Sequence, residues 1–383
     1  VEYALQRELA NSRYVKVAAR GRVNAALQLM RMPPDSSIDL ATGREISIRD
    51  GDIRLLLTGR IDKLGDTYLV GIELVNPADG VTLASFSAKT DSQDEILDRV
   101  GDLAREVRGA LGESMASIEA SDEELLNVTT PSLEALRLYS RADTMMRGED
   151  RNKAVPLLEQ SLRNDPDFAS AHLLLVYLYR DRDQLEQARK HLQRAVELSE
   201  TTTERERLFI LATYYRHLGE IDREIETYEL LTRLYPDHDW ANGNLANRYM
   251  WQGRLREAYP YFRRKAEQNP NSIHNQFRAG EFALIHGDSE RAQRYFDRMA
   301  ELGDVPYYQS LLALMPIYAA WLENDNDMAY RLTEELVESM SPGELVQSGM
   351  LFAHTRSHLL ALGKLTRLNE LGALRPQIGW LEA

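Results

Sequence analysis

The amino-acid sequence predicts a small α+β domain followed by an all-α solenoid. Three segments between residues 53 and 89 alternate between apolar and polar positions, and a period near 34 residues runs through the carboxyl two-thirds of the chain. Alternation is typical of strands. Two helices per period indicate stacked helical hairpins, because each hairpin buries its apolar face against its neighbours. We expect the α+β domain at 1–118, a linker at 119–131 and the solenoid at 132–383.

The period is carried by residues that recur in a near-constant register. The register positions are Ala154, Ala188, Glu224, Ala258 and Ala292, spaced 34, 36, 34 and 34 residues apart. Four residues after each comes a bulky apolar residue: Leu158, Leu192, Tyr228, Phe262 and Phe296. Three of the units close with a proline: Pro166, Pro236 and Pro270. Small side chains let paired helices approach, large ones fill the groove between units, and proline ends the second helix.

This register resembles the tetratricopeptide repeat (TPR). One unit matches the pattern of that family at Ala246-x2-Tyr249, Ala258-x3-Phe262 and Pro270. Glu224 departs from it, because alanine is usual there, and this departure concerns only the local packing. The resemblance implies a right-handed superhelix of about six helix pairs and a C-terminal cap, in which the first helix of each pair lines a concave surface.

Four positions in the first helix of each unit are expected to point to that concave surface. They carry Tyr139, Asp143, Leu173, Tyr177, Arg180, Phe209, Arg216, Trp240, Asn244, Asn247, Phe277, Glu281, Tyr318 and Trp321. Aromatic residues interleaved with arginine and asparagine favour peptide recognition, since they offer a large contact area and hydrogen bonds to a peptide backbone. The alternative is that several of these aromatic residues pack against neighbouring helices or against a terminal segment.

The region before the repeats has the periodicity of mixed helices and strands. It predicts helices at 1–10, 22–30, 40–49 and 93–118, and strands at 14–18, 53–61, 67–75 and 81–89. Gly65-Asp66 and Pro77-Ala78-Asp79-Gly80 separate the last three strands, and both are hairpin signals. These strands should form an antiparallel meander, with Tyr68, Val70, Ile72 and Leu74 on one face.

This amino-terminal region resembles the α+β domain of bacterial TolB amino-terminal-like regions, which precedes such repeats. The resemblance is carried by residues 57–61 (LTGRI), 68–70 (YLV), 111–114 (LGES) and 129–136 (TTPSLEAL). It implies the extracytoplasmic part of a receptor-type serine/threonine kinase or related regulator, with an anchoring helix and a cytoplasmic output domain upstream. A strand that precedes the first helix in that family is missing, so either the fragment starts inside the domain or a neighbouring segment fills that place.

Composition narrows the possible classes of function. A hydrophobic fraction of 43% with 28% charged residues predicts a folded soluble chain. The net charge of −14 argues against a nucleic-acid partner, because phosphate binding needs a basic face. The chain has no cysteine, which excludes disulfides and thiolate chemistry and fits both an extracytoplasmic (periplasmic) and a cytoplasmic location. It begins on Val1 without a signal-peptide pattern or an apolar run of about 18 residues. We expect a soluble fragment of a longer, membrane-tethered protein.

No constellation of catalytic residues is evident in the sequence. His354 and His358 lie four positions apart on a predicted helix, which is a weak candidate for a metal site without a third ligand. Residues 236–239 gather carboxylates and a histidine, but such turns are common between repeats. Ser114 lacks the context of a nucleophile elbow, and no phosphate-loop motif occurs. We therefore expect no cofactor, no metal and no enzymatic activity.

Three hypotheses of function remain. The first is a non-catalytic, protein- or peptide-binding scaffold or sensor module of a bacterial membrane-anchored signalling protein. The second is a structural or assembly subunit of a stable multiprotein complex. The third, and most remote, is an enzyme with a small-molecule pocket beside the three-stranded sheet, for which the sequence offers no residues.

Overall fold

The computed structural model describes residues 2–302 apart from 11, 13, 34, 35, 37, 94, 123–129 and 147–150, and only isolated positions between 315 and 335 beyond them. The chain groups into two compact units. The first unit is Val1–Ala18 with Ala26–His238, and the second is Ala19–Ala25 with Asp239–Ala383. Among the described residues, the first unit holds a β-sheet and three helix pairs, and the second holds two helix pairs.

The amino-terminal region contains five helices and three strands among its described residues. They are α1 (Glu2–Ala10), α2 (Arg20–Leu29), α3 (Leu40–Asp50), β1 (Leu56–Leu64), β2 (Thr67–Val75), β3 (Thr82–Thr90), α4 (Ile96–Ala110) and α5 (Met115–Asp122). The sheet has the order β1-β2-β3 with both neighbouring pairs antiparallel, which confirms the predicted meander. Strand β1 begins three residues later than predicted, at Leu56 rather than Ile53.

One face of this sheet forms a core with α4. Of the four residues predicted to share one face of β2, Val70, Ile72 and Leu74 are buried and Tyr68 is partly exposed. Helix α4 packs on β2 and β3. Helix α4 contributes a buried apolar stripe that includes Val100 and Leu103. The described part of the sheet therefore follows the ordinary rule that an antiparallel sheet buries one face.

The single helix predicted at 93–118 is wrong, because the structure has two helices there, α4 and α5. The chain turns at Gly112, whose φ of +94° suits a residue without a side chain. The buried guanidinium of Arg108 donates to both carboxylate oxygens of Glu113, from Nε at 2.9 Å and from Nη2 at 2.8 Å. The apolar stripe resumes after the turn at buried Ile118, which explains why periodicity alone indicated one helix.

The strand predicted at 14–18 is also wrong. This segment pairs with no strand in the described structure. The backbone N–H groups of Tyr14 and Val15 donate to Ser12 Oγ, each at 3.0 Å, and so form a side-chain-capped turn instead. Serine commonly satisfies backbone donors in this way.

The described repeat region consists of five helix pairs. They are α6 (Leu133–Met146) with α7 (Ala154–Asn164), α8 (Ala169–Arg180) with α9 (Leu185–Glu197), α10 (Glu204–Leu218) with α11 (Ile221–Leu234), α12 (Asp239–Trp251) with α13 (Leu255–Gln268), and α14 (Ile273–Ile285) with α15 (Ser289–Leu302). These pairs confirm the TPR-like array predicted from the register. The expected sixth pair and C-terminal cap lie outside the described residues, apart from isolated positions. The linker predicted at 119–131 stays a prediction, because residues 123–129 are not described.

The register positions form the packing inside each pair. Ala154, Ala188, Ala258 and Ala292 are buried, as are all five of the large residues that follow them. In the last described pair, Gly280 of α14 faces the ring of Phe296 on α15. A Cβ atom at Gly280 would lie 2.4 Å from Phe296 Cε1. The close approach of paired helices therefore depends on a small residue at that point.

Candidate functional site

Within each unit, the candidate site is the surface built from the first helices of its pairs, which we call the first-helix face of that unit. Among the predicted residues, those that are buried are Tyr139, Leu173, Tyr177, Phe209, Phe277 and Glu281. Those that are partly exposed are Asp143, Arg216, Trp240, Asn244 and Asn247, whereas Arg180 is exposed. The remaining predicted positions, Tyr318, Trp321, His354 and His358, lie outside the described residues.

Two of the predicted aromatic residues in the first unit pack within the repeats. The rings of Tyr177 and Phe209 stack with centroids 6.2 Å apart and planes 13° apart. Phe209 also lies 6.2 Å from Tyr228 and 4.7 Å from His238, measured between ring centroids. The Tyr177 hydroxyl lies 3.1 Å from Thr213 Oγ1. These rings therefore hold the second and third pairs together, and their contact with a peptide stays a prediction.

Arg216 lies beside the one register position that departs from the TPR pattern. Glu224 of α11 is buried, with 1% of its side chain exposed, and its Oε1 is 3.9 Å from Arg216 Nε on α10. A carboxylate in place of alanine would be costly without a nearby cation. The arginine that the sequence assigned to the binding surface thus balances a buried charge within its own helix pair.

Helix α1 contacts the first-helix face at the first and third pairs. The ring of Tyr3 makes an edge-on contact with Tyr139 of α6, with centroids 5.9 Å apart and planes 67° apart. Tyr139 in turn contacts Phe168, at the start of the second pair, at 4.7 Å. The sequence left open that a terminal segment covers these aromatic residues, and the structure places α1 in that role for Tyr139.

An ion pair holds the middle of α1 to the same face. The guanidinium of Arg7 pairs with Glu206 of α10, whose side chain is only 7% exposed. Ser170 Oγ of α8 donates to the same carboxylate oxygen at 2.7 Å. Glu206 therefore joins α1, the second pair and the third pair at one point.

Arg205 contacts the carboxyl end of α1. Its Nη1 donates to the carbonyl oxygen of Ala10 at 2.9 Å, and carbonyls in the last turn of a helix lack a partner inside it. The same guanidinium donates to both carboxylate oxygens of Asp237 at 3.0 Å. Asp237 belongs to the acidic turn at 236–239, so in the structure this carboxylate serves as an ion-pair partner.

The chain immediately after α1 is fixed to the α+β region. Ser12 Oγ donates to Glu113 Oε2 at 2.7 Å, beside the buried pair of Glu113 with Arg108. The hydrogen bonds from Arg108 lower the pKa of Glu113 to about 2, although its burial acts in the opposite direction. Helix α1 also packs on α4, and its Leu5 and Leu9 are buried.

The tyrosines at this contact remain uncharged at physiological pH. Burial raises the pKa of the Tyr3 hydroxyl well above its usual value, and the nearby Tyr139 and Asp143 raise it further. Burial likewise raises the pKa of Tyr139. The contact of α1 with the first-helix face therefore combines a neutral aromatic pair with the ion pair of Arg7 and Glu206.

Glu206, Ser170 and Arg205 are absent from the sequence-based site. An acidic residue in the first turn of a helix is common, because it interacts favourably with the helix dipole. The presence of Glu206 near the start of α10 therefore did not by itself indicate a binding role. Its partner Arg7 is 199 positions away in the sequence. No periodic signal connects two such residues.

The first-helix face of the second unit includes three partly exposed predicted residues. Trp240, Asn244 and Asn247 lie on α12 at spacings of four and three, which places them on one side of the helix. The other two predicted residues that the structure describes in this unit, Phe277 and Glu281, are buried. The Phe277 ring lies 5.9 Å from the Arg278 guanidinium carbon, and Glu281 accepts a 2.8 Å hydrogen bond from that guanidinium.

The second unit also contains an open cavity of about 490 Å³. It is lined by Arg263, Ala266, Glu267, Pro270, Gln276, Arg291, Arg294, Tyr295 and Arg298. Each of the four arginines lies within 4.0 Å of a carboxylate on its own helix or the preceding turn. Their charges are therefore balanced, and the cavity does not have the character of an anion site.

The described residues contain no cluster of three or more histidines and carboxylates that could hold a metal ion. In the same part of the chain, no helix combines the length and the apolarity that crossing a membrane requires.

The tetratricopeptide repeat is also found by comparison with known proteins. Models of this repeat match residues 145–202 and 208–238, so the chain contains tetratricopeptide repeats. No curated protein matches the chain. The resemblance of the amino-terminal region to TolB-like domains stays a prediction.

Similar solved structures include three proteins of low sequence identity. PilF of Pseudomonas aeruginosa is 16% identical, over 57% of this chain and 97% of its own, with a TM-score of 0.40. PilW, a type IV pilus biogenesis factor, is 19% identical, over 54% and 94%, with a TM-score of 0.39. A monomeric mutant of IFIT1 is 14% identical, over 75% and 69%, with a TM-score of 0.40.

Proposed function

We propose that this chain is a non-catalytic module that binds a protein or peptide through its first-helix face. The observation that carries the proposal is the position of α1, a helix held on that face by Tyr139, Glu206 and Arg205. A surface that accommodates one helix has the pocket, charge and hydrogen-bond donors to accommodate a partner of similar chemistry.

The face is suited to binding because its groups are already ordered. Glu206 is fixed by Ser170, and Arg205 is fixed by Asp237 through two hydrogen bonds. A partner therefore meets side chains that lose little conformational freedom on binding, which favours affinity. In the second unit, Trp240 and the two asparagines of α12 offer an aromatic surface and amide groups for a peptide backbone.

The setting that we favour is the extracytoplasmic, membrane-tethered part of a bacterial signalling protein. The resemblance of residues 1–140 to TolB-like regions supports this setting, and a cytoplasmic location is the alternative. A kinase, cyclase or DNA-binding domain in the upstream gene sequence would support it.

A structural subunit of a stable complex is the second candidate function. The first-helix face of the first unit already holds a helix, α1, and could serve in the same way as a subunit interface. It predicts co-purification at fixed stoichiometry.

Photo-crosslinking tests the binding function. A photo-reactive amino acid in place of Asn247, on α12, should capture a defined partner in the native cell. The matched control is Gln293, an exposed residue on α15, a second helix of the same unit. The partner that is identified is then purified, and its affinity for the chain with Asn244→Ala and Asn247→Ala should be about tenfold weaker, or about 1.4 kcal/mol. Equal capture at both positions, or an unchanged affinity, would count against the proposed face.

A further inference from the structure

We propose that the first-helix face of the first three pairs is a receptor for an amphipathic helix with a basic residue one turn after an aromatic residue, and that α1 occupies it in cis. This inference deepens the proposed function and rests on it. The partner is a helical segment of another protein that presents the same pattern and displaces α1.

The pattern follows from what α1 presents to the face. Tyr3 and Arg7 are four positions apart, so they lie on one side of the helix, one turn from each other. Tyr3 meets the ring of Tyr139, and Arg7 meets the carboxylate of Glu206. A helix that lacked the aromatic residue would lose the contact with Tyr139, and one that lacked the cation would lose the ion pair with Glu206.

The charge of the face favours a basic partner. Glu206 lies at the contact with Arg7, and the negative charge of nearby Asp143 raises the pKa of both Tyr3 and Arg7. An acidic residue in the position of Arg7 would therefore meet two carboxylates. Arg205 favours one orientation of the bound helix. Its guanidinium donates to a carbonyl group at the carboxyl end of the helix, where the last carbonyls lack partners inside the helix.

Helix α1 has the properties of a replaceable occupant. Arg7 remains 29% exposed, which leaves its ion pair open to solvent. Ser12, just beyond α1, is held separately by Glu113, so the attachment point stays in place when a partner displaces α1 and breaks its packing on α4. A tethered occupant has a high effective concentration and lowers the apparent affinity of a competing helix.

The test uses the full chain and a fluorescent peptide of residues 2–18 as the probe. In the variant with Tyr3→Ala and Arg7→Glu, α1 loses both contacts while every residue of the receptor face is unchanged. We expect the peptide to bind this variant at least tenfold more tightly than it binds the wild-type chain, and to bind Arg7→Ala with intermediate affinity. Gln6→Glu is the matched control, since Gln6 is exposed on the same helix, and it should bind like the wild type.

Charge reversal tests the specificity of the face. Adding Glu206→Arg to a chain released by Tyr3→Ala and Arg7→Ala should abolish binding of the wild-type peptide and create binding of a peptide that carries Arg7→Glu, because the alanine in α1 pairs with neither charge. A released variant that keeps the wild-type circular dichroism and binds no peptide would overturn the proposal. It would leave the photo-crosslinking result at Asn247 untouched, so the two proposals fail separately.

Hydrogen exchange of the wild-type chain tests the proposal without any substitution. The amides of α1 should exchange at least tenfold faster than those of α8 and α10. Equal protection would show that α1 never leaves the face and would overturn the proposal. The wild-type chain could also form a dimer that dissociates when Arg7 is replaced by Glu. That result would show that α1 of a second copy occupies the face, and it would overturn the proposal of a partner with a different sequence.

Discussion

At the scale of single residues, Glu206 is the point where the amino-terminal helix and two repeats meet. Its carboxylate accepts from Ser170 and pairs with Arg7, although only 7% of its side chain is exposed. A carboxylate buried to this degree needs such partners, because an unpaired charge away from water is costly. The identity of this residue therefore matters to both stability and recognition.

We predict that Glu206→Gln destabilises the chain by about 1 kcal/mol. The amide still accepts from Ser170 but no longer attracts Arg7, and a partly exposed ion pair contributes on this order. Urea denaturation followed by circular dichroism measures the change. Glu200→Gln, at an exposed position, is the matched control and should leave the midpoint unchanged. An equal effect of both substitutions would contradict the prediction.

Glu113 should make the stability of the chain depend on acid. Its pKa is lowered from 4.5 to about 2 by Arg108, so its contribution is fully present above pH 4.5 and is lost as the pH falls from 4.5 towards 2. We predict that Glu113→Gln costs about 3 kcal/mol at pH 7 and flattens this acid limb. Unfolding free energies between pH 2 and pH 7 measure it, and an unaltered slope would refute the prediction.

A pair of histidines should make stability depend on pH at a milder value. The Nδ1 atoms of His172 and His191 lie 2.8 Å apart, and His172 Nε2 lies 3.0 Å from the carbonyl oxygen of Pro166. Burial, and then the neighbouring His172, lowers the pKa of His191 to about 4. Burial also lowers the pKa of His172. The folded state therefore holds both rings neutral, and their hydrogen bond needs one of them as acceptor.

Charged groups around this pair partly offset one another. Glu159 favours protonation of His191, and Asp165 and Asp167 favour protonation of His172, which Arg194 opposes. Stability from His191 is complete above its ordinary pKa of 6.5 and falls as the pH drops from 6.5 towards 4.

We predict that His191→Phe flattens this pH dependence. The phenyl ring retains the stacking on Tyr179, whose ring lies 5.4 Å from that of His191, but cannot bind a proton. Thermal unfolding at pH 7, 6, 5 and 4 measures the effect, with His217→Phe at an exposed position as the control. If the wild type and His191→Phe lose stability in parallel, the prediction fails.

At the scale of elements, the five described helix pairs depend on how closely two helices approach. Gly280 of α14 leaves no room for a side chain, because a Cβ atom there would lie 2.4 Å from the Phe296 ring on α15. Gly243 of α12 is different, since its nearest neighbour would be Lys265 Cε at 3.7 Å, an ordinary contact. Two glycines in first helices of the same unit thus have different roles.

We predict that Gly280→Ala destabilises the chain by about 1–3 kcal/mol, because the pair must open or Phe296 must rotate. Gly243→Ala should instead stabilise it by about 0.5 kcal/mol, since alanine is the better helix former. Chemical denaturation measures both. Adding Phe296→Leu to Gly280→Ala should recover part of the loss, and purely additive effects would contradict the proposed contact.

At the scale of the whole molecule, the periodicity of the sequence predicted the helix pairs but did not predict contacts between residues far apart in the chain. The register from Ala154 to Ala292 placed five helix pairs correctly, because packing inside a TPR pair is repeated and local. The same kind of pattern missed the break at Gly112, where an apolar stripe continues across a turn. It could not place α1, since the pairing of Arg7 with Glu206 joins residues 199 positions apart.

The total charge of the chain also has a measurable consequence. With a net charge of −14, the chain should not retain single-stranded RNA at 150 mM salt, because there is no overall attraction to phosphate. Filter binding with a labelled oligonucleotide measures this. Retention that falls steeply with added salt would contradict this prediction and would reveal a phosphate-binding basic surface.

The position of α1 has a thermodynamic consequence. Helix α1 packs on α4, beneath the sheet, and also contacts the first and third helix pairs, so a shift of either neighbour changes the environment of α1. A ligand that moves α4 would then alter the affinity of the repeats for their partner. By reciprocity, that partner would alter the affinity of the sheet region for the ligand by the same factor.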